Sequence, residues 1–407
     1  MEMLNALRNM DMSRPSPGPA LTSAGRVSPC VHRLSVTAFR NYESARIETE
    51  APAVVLTGPN GAGKTNLLEA VSFLTPGRGL RRARISEVGR AGPDGNNANW
   101  AVAAEVDGLE GTVSVGTGRD PGPEGDGRAG GEKRLVRIDG APAKSQSALA
   151  DHLAVSWLTP QMDRLFIEGA SNRRRFLDRL VYTFDPEHAG RVNAYTHALR
   201  ERARLLKNGT RDRAWFAALE ESIAEKAVAI AAARTGLVAR LNMETETGSG
   251  PFPGAELMLE GEVEADIQIR PALAVEDGLK ARLEAGRRMD GGEPAPVPGP
   301  HRSDLAVRHI PKDMMAPHCS TGEQKALLIA IVLGHARLGA QETGAVPVLL
   351  LDEVAAHLDS GRRSALYDIL LALGGQVWMT GTDRALFASL EGAGQFFAVE
   401  DGAVRAD

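Results

Sequence analysis

Gly58-Pro59-Asn60-Gly61-Ala62-Gly63-Lys64-Thr65 is a complete GxxxxGKT stretch, and its flanks decide how it is read. Ala53-Val54-Val55-Leu56-Thr57 before it is a short apolar run. Asn66-Leu67-Leu68-Glu69-Ala70-Val71-Ser72-Phe73-Leu74 after it has helical character. Strand, glycine loop, helix is the context in which such a loop closes its backbone N–H groups around phosphate oxygens. Lys64 then supplies positive charge near the terminal phosphates, and Thr65 supplies a hydroxyl for the nucleotide's magnesium. The natural partner of this loop is an apolar strand ending in acids, Val348-Leu349-Leu350-Leu351-Asp352-Glu353, and it lies most of the chain away. That separation predicts one ATPase core split around a large insertion, rather than a compact nucleotide kinase or GTPase.

Asp352 is placed to orient Mg2+ or its water shell, and Glu353 to polarise an attacking water. The alternative is a pair of solvated acids at a helix start. A buried strand ending in two acids would otherwise need compensating partners. Ser320-Thr321-Gly322-Glu323-Gln324-Lys325 precedes an apolar helical run from Ala326 to Leu333. Ser320 suits a helix cap, and Glu323 three residues later completes a capping box. A helix N-terminus also attracts phosphate. Presented across an interface, Ser320 and Gly322 would reach the γ-phosphate held by a second subunit.

The chain has 407 residues, room for about two or three domains by the usual length prior. Hydrophobic residues make up 43%, which permits a sizeable core. A formal net charge of -5 argues against a uniformly basic nucleic-acid wrapper but leaves room for local basic surfaces. Cys30 and Cys319 form no CxxC, and the nine histidines form no HExxH, so a structural metal is not expected. Magnesium is expected only with a bound nucleotide. No apolar run reaches about 18 residues, which argues against a membrane-spanning helix. The polar, Gly-, Pro- and Ser-rich start lacks the apolar segment of a secretory signal. Residues 1–29 are expected to be a disordered leader on a cytoplasmic protein.

Further along, His32 to Phe39 is expected to be a strand, with Arg40-Asn41-Tyr42 turning into another extended segment. Trp100 to Val115 and Arg134 to Gly140 predict antiparallel sheet, and Gly116 to Gly131 a loop or exposed hairpin connection. Arg191 to Thr245 is rich in Ala, Leu, Glu and Arg and free of proline, which favours long helices in an arm or hairpin. Strict heptads are absent, so no long coiled coil is expected. Glu256 to Ile269 suggests short strands, Val275 to Met289 a helix, and Gly291 to Pro300 a return linker. Val346 to Leu351 and Gly375 to Thr380 restore α/β character. The expected division is a head of 30–185 plus 300–407 and a helical arm of 186–299.

Several further segments carry a family resemblance: Phe39-Arg40-Asn41-Tyr42, Gly63 to Ala70, Arg173-Arg174-Arg175-Phe176-Leu177-Asp178, Gly299-Pro300-His301-Arg302-Ser303-Asp304 and Ser320 to Lys325. Together they resemble the ABC-type ATPase heads of the SMC and Rad50 class. More closely, from about residue 31 onward, they resemble the RecF family of bacterial recombination mediators. The resemblance implies an α/β ABC-type P-loop head with an antiparallel β subdomain and an inserted, mainly helical arm. It implies ATP and Mg2+, slow ATP hydrolysis and an ATP-dependent homodimer. It further implies binding to duplex DNA at single-strand gaps, with RecR-like and RecO-like partners that help load recombinase during replication-linked repair and the SOS response. Glu353, Asp352, Lys64 and Ser320 would be catalytic. Gly58 through Asn66, Gln161, Ser320, Gly322 and Asp352 would bind nucleotide, with Thr65 and Asp352 on its magnesium. Ser320 to Gln324 would act on ATP held by the other subunit. Gln161 is a candidate magnesium or lid-loop residue, with an ordinary turn glutamine as the alternative. Leu358-Asp359 resembles the loop coupling the two sites, and Val377 to Thr380 the switch strand.

The chain departs from the family pattern at Val354-Ala355-Ala356-His357, at Ser303 and in the longer 116–131 loop, and Thr380 ends a strand near whose end a transporter-type pattern would place histidine. Basic groups at Arg78, Arg81, Arg82 and Arg84, at Arg173, Arg174, Arg175 and Arg179, and from Arg200 to Arg213 are candidate phosphate contacts. Without the resemblance, solvated faces or internal ion pairs would be the default reading of each. The competing readings are another SMC/Rad50-like DNA-tethering head, a transporter ATPase and a pseudoenzyme. The short insertion opposes the first, the missing switch histidine the second, and the retained Lys64, Thr65, Asp352 and Glu353 the third.

Overall fold

The computed structural model describes residues 28–92, 98–108, 111–119, 134–287 and 297–407. Residues 1–27, most of the 1–29 leader, lie outside them, as do parts of the 116–131 loop and the 291–300 linker. The described chain forms two compact units. The first comprises the described residues within 28–162, 249–252 and 332–407, and the second those within 163–248 and 253–331.

In chain order the strands are β1 (Cys30–Phe39), β2 (Tyr42–Glu48), β3 (Ala53–Thr57), β4 (Ala101–Gly108), β5 (Gly111–Arg119), β6 (Arg134–Ile138), β7 (Ala141–Pro142) and β8 (Val155–Leu158). Then follow β9 (Ala255–Glu260), β10 (Asp304–His309), β11 (Met314–Met315), β12 (Val348–Leu351), β13 (Val377–Gly381), β14 (Gly394–Glu400) and β15 (Ala403–Ala406). Among the described residues the α-helices are α1 (Lys64–Ser72), α2 (Ala170–Val181), α3 (His188–Lys207), α4 (Arg213–Thr245), α5 (Glu262–Ile269), α6 (Ala272–Ala285), α7 (Thr321–Glu342) and α8 (Ser360–Leu373).

The first unit holds two six-stranded sheets. One is antiparallel, ordered β2-β1-β4-β5-β6-β7. The other runs β15-β14-β3-β13-β12-β8, parallel from β14 to β8. Every residue of β3, β12 and β13 is buried, as expected of strands covered on both faces. Their apolar runs pack into one core with α1 and the antiparallel sheet, where Phe39, Phe73 and Trp100 meet edge-on or tilted. Among the described residues the buried Arg134 has no carboxylate partner in its hydrogen bonds. It donates instead to Thr117 Oγ1 and to the carbonyls of Phe73, Thr75 and Gly77, which anchors the chain leaving α1. Burial pulls its pKa down to about 9.

The second unit is mainly helical. Asp212 caps α4, accepting from the N–H groups of Ala214 and Trp215 at 3.0 Å each. The helix then runs through an alanine-rich, proline-free stretch whose buried residues pack with Tyr195 and Ala198 of α3 and Val275, Leu279 and Leu283 of α6. The long helices expected from composition are therefore present. Residues 262–269 correct the reading of short strands: only 255–260 are extended, and α5 follows. Gly261 ends the strand, and Glu262 and Glu264 in the first turn favour a helix start through the macrodipole. A three-stranded antiparallel sheet, β11-β10-β9, completes the unit.

Compactness groups α2 and the first part of α7 with the arm helices, although the sequence reading assigned them to the head. For α2, ion pairs give the reason. Arg234 of α4 holds Asp178 of α2, and Arg173 of α2 holds Asp304 of β10. The division between units falls within α7, between Ile331 and Val332.

Candidate nucleotide-binding site

The chain leaves β3 at Thr57 and turns through the glycine loop into α1. Gly58 sits at φ +147° and Gly63 at φ +115°, a region L side chains rarely adopt. A Cβ on Gly58 would stand 2.1 Å from the Val399 carbonyl oxygen, and one on Gly63 2.5 Å from the Asn41 amide. Both positions require glycine. Gly63 is also the N-cap of α1 and offers no side chain to its first N–H groups. Those donors and the positive end of the helix suit an anion. Lys64 is buried, and its Nζ donates to the carbonyls of Gly58 and Pro59 at 2.7 and 2.8 Å. Burial lowers its pKa, against the opposing pull of Glu353 and Asp352.

The β1–β2 turn supports this loop. Asn41 Nδ2 donates to the Ala62 carbonyl at 3.0 Å, and Asn41 Oδ1 accepts from Asn66 Nδ2 at 2.6 Å. Arg40 meets the fully buried Glu69 of α1 through two hydrogen bonds, at 2.8 and 2.6 Å, and Arg81 reaches the same carboxylate at 3.1 Å.

Because β13 lies between β3 and β12 and pairs parallel with both, the C-terminal ends of the three strands lie side by side. Thr65 Oγ1 donates to Asp352 Oδ1 at 2.8 Å across 287 residues of sequence. Thr380 Oγ1, at the end of β13, donates to the same oxygen at 2.8 Å and accepts from the Glu353 N–H at 2.9 Å. Glu353 takes a left-handed backbone, φ +51°, which is uncommon for a non-glycine residue. A hydroxyl has one proton and two lone-pair positions. Thr65 therefore orients Asp352 while keeping lone pairs available, so the pair fits a hard, oxygen-seeking cation such as Mg2+. Gln161 lies exposed on the 3-10 turn Pro160–Arg164, just after β8, the neighbour of β12.

Ser320 and Glu323 form the reciprocal capping box that their spacing predicts. The Ser320 N–H donates to Glu323 Oε2 at 2.9 Å, and the Glu323 N–H donates to Ser320 Oγ at 3.4 Å. A hydrogen bond from Lys312, with those from Ser320, holds the Glu323 carboxyl down at about 2. Gln324 is buried and donates to the Cys319 carbonyl. Gly322 is exposed, and a Cβ there would meet nothing within 4 Å. This motif belongs to the second compact unit, and the loop with its acids to the first. Asp359 caps α8, accepting from the Arg362 N–H at 2.8 Å.

The model of the RecF/RecN/SMC N-terminal domain matches residues 30–404. The chain belongs to the RecF family. It is 52% identical over 376 residues to the DNA replication and repair protein RecF of Mesorhizobium japonicum, covering 92% of this chain and 97% of that one. It is 50% identical over 378 residues to the RecF of Rhizobium rhizogenes, covering 92% and 98%. A solved structure described as the recombination mediator protein RecF-ATPrS in the RecFOR pathway superposes with a TM-score of 0.79 at 23% identity, covering 94% of this chain and 99% of that one. A Pyrococcus furiosus Smc head domain gives 0.51 at 16% identity. These likenesses show that the fold is the α/β ABC-type head shared by RecF and SMC proteins.

Within this RecF-family fold many of the basic residues singled out from sequence are already engaged. Arg173 pairs with Asp304 through two bonds of 2.7 Å, and Arg174 donates to the Ser303 carbonyl at 2.7 Å. Arg202 is buried against Glu220 at 2.9 Å, and Arg204 meets Glu201. Arg200, Lys207, Arg211 and Arg213 are exposed at the α3–α4 corner. Thr380 is not among the site residues that the sequence points to. A polar residue ending an otherwise apolar strand, Val377-Trp378-Met379-Thr380, was the available signal. Among the described residues no helix is long and apolar enough to cross a membrane.

Proposed function

We propose that this chain is an ATP-hydrolysing, DNA-binding recombination mediator acting in replication-linked repair. The observation that supports the reading is the Thr65–Asp352 hydrogen bond beside the Lys64-lined loop, which brings together the two segments that would hold phosphate and magnesium. Mg2+ and ATP, when bound, supply the reactive phosphoanhydride and the cation that neutralises its charge. Gly58 to Thr65, with Asn66, would hold the phosphates through loop N–H groups and the Lys64 ammonium. Thr65 and Asp352 would hold the metal, and Gln161 would approach it from the lid turn. Glu353 would orient and polarise the attacking water.

Ser320 and Gly322 would complete the site of a second copy, so that ATP closes a homodimer of heads. The head in this functional sense is 30–185 with 300–407, and 186–299 is its arm. Closure would bring exposed basic groups, including Arg200, Lys207, Arg211 and Arg213, onto duplex DNA beside a single-strand gap. Hydrolysis would be slow and would reset the clamp. RecR-like and RecO-like proteins would be its partners in loading recombinase in the cytoplasm, including during the SOS response. The names of the relatives and the retained site residues support this reading.

The test is solution mass with and without ATP and gapped DNA, for wild type, Glu353→Gln and Ser320→Ala. An ATP-dependent dimer that Glu353→Gln stabilises on gapped DNA and Ser320→Ala weakens is expected. A monomer indifferent to ATP and DNA would overturn the clamp. Wild-type dimerisation and hydrolysis in Ser320→Ala would overturn the shared site.

A further inference from the structure

Thr380 holds the two acids of the site at once. Its side chain is 1% exposed at the end of β13, one residue past the Leu351–Met379 register pair with β12. Its hydroxyl donates its proton to Asp352 Oδ1 at 2.8 Å and accepts from the Glu353 N–H at 2.9 Å. The first bond, with the one from Thr65 to the same oxygen, sets the rotation of the Asp352 carboxylate. The second pins the peptide between Asp352 and Glu353 at the entry to the left-handed Glu353 turn. The direction in which the Glu353 side chain leaves the strand depends on that turn. An atom that fixes both residues sets the metal-holding carboxylate and the water-polarising carboxylate relative to each other.

We propose that Thr380 is a positioning residue for ATP hydrolysis, tying Asp352 to Glu353 through one hydroxyl. The proposal rests on the ATPase reading above. It requires a group that donates and accepts at once, within the volume of a short β-branched side chain. Serine meets the hydrogen-bonding requirement, and valine keeps the shape while removing both bonds. Groups that orient a metal ligand in this way typically cost about 10–100-fold in metal affinity or activity when removed.

The experiment compares wild type with Thr380→Val and Thr380→Ser. Three quantities are measured: ATP affinity in EDTA, the Mg2+ concentration that half-saturates the gain in ATP affinity, and turnover at saturating Mg·ATP. Thermal melts accompany each. Thr380→Val should keep the EDTA affinity, need about tenfold more Mg2+ and lose turnover about 10–100-fold. Thr380→Ser should recover both to within about twofold of wild type, because the same two bonds are restored. Wild-type Mg2+ requirement and turnover in Thr380→Val would overturn the proposal. So would a loss that Thr380→Ser fails to recover, since packing of the methyl group would then be the cause. If Thr380→Val melts below the assay temperature, Thr380→Ala is read against the same two criteria. A wild-type protein that binds Mg·ATP and never hydrolyses it would sink the ATPase reading instead, and the magnesium titration would still decide whether the hydroxyl positions Asp352.

Discussion

Asp352 in the first unit and Asp178 in the second are both buried carboxylates held by residues far away in sequence, and they are held in opposite ways. Asp178 takes two bonds from the Arg234 guanidinium, at 2.8 and 2.9 Å, and one from His188 at 2.8 Å. Arg234 also donates to the Pro300 carbonyl and to Ser303 Oγ. Burial alone would raise the Asp178 pKa, but the His188 and Arg234 contacts outweigh it and hold the carboxyl below its usual range. Asp352 takes its hydrogen bonds from two neutral hydroxyls, Thr65 and Thr380. A guanidinium orients a carboxylate and cancels its charge, whereas a hydroxyl orients it and leaves the charge in place. The first arrangement locks helices together, and the second keeps a negative group ready for a cation.

Changing Glu353, the acid proposed to polarise water, should give the largest effect. Glu353→Gln should lower ATP turnover by about 10²–10⁴-fold, the usual range for a general base, with nucleotide binding retained. Equal losses of binding and turnover would mean that Glu353 holds the loop rather than the water. Next in size is the sealed ion pair. Asp178→Ala strands Arg234 and should cost about 3–5 kcal/mol in urea unfolding, the range for breaking one partner of a buried pair. ATP affinity is the internal control, and a parallel loss of it would blur the contrast between the two carboxylates.

The depressed pKa of Asp178 also has a sign. Its stabilisation is fully present above the ordinary value of 3.8 and is lost as pH falls through the lower folded value. Acid titrations of wild type and Asp178→Asn should therefore diverge above that window and converge below it. Gly58→Ala comes third. Its Cβ would collide with the Val399 carbonyl at an unfavourable φ, so about 1–3 kcal/mol of strain should appear, mainly as weakened ATP binding. Unchanged affinity would show that the loop can shift away from β14. The smallest effect belongs to the capping box, where Ser320→Ala should cost about 1 kcal/mol of stability in a melt. Its effect on ATP-driven dimerisation is a separate readout.

Much of the candidate site was legible because its motifs are local. The glycine loop, the Asp352-Glu353 strand end and the Ser320–Glu323 box each declare themselves within a few residues. Composition likewise revealed the long helices α3 and α4, since an alanine-rich, proline-free stretch behind Asp212 has few other ways to satisfy its backbone. Residues 262–269 were misread because a short segment bearing Val263 and Ile267 looks extended until Gly261 is seen to end the strand and start a helix. The basic groups show a different limit. Arg173 and Arg202 look like phosphate contacts in one dimension, and the fold spends them on Asp304 and Glu220.

Sequence by itself determined the family, the P-loop and acidic motifs and the helical character of the insertion, because those depend on residue type at short spacing. Tertiary structure alone decided that Thr65, Asp352 and Thr380 share one oxygen, and that Asp178 and Arg234 share one sealed pocket. The first convergence follows from the order β3-β13-β12, which puts three strand ends side by side. The second follows from the packing of α2 and α4. Contacts between distant segments depend on which surfaces the whole chain buries together, and no local spacing encodes that choice.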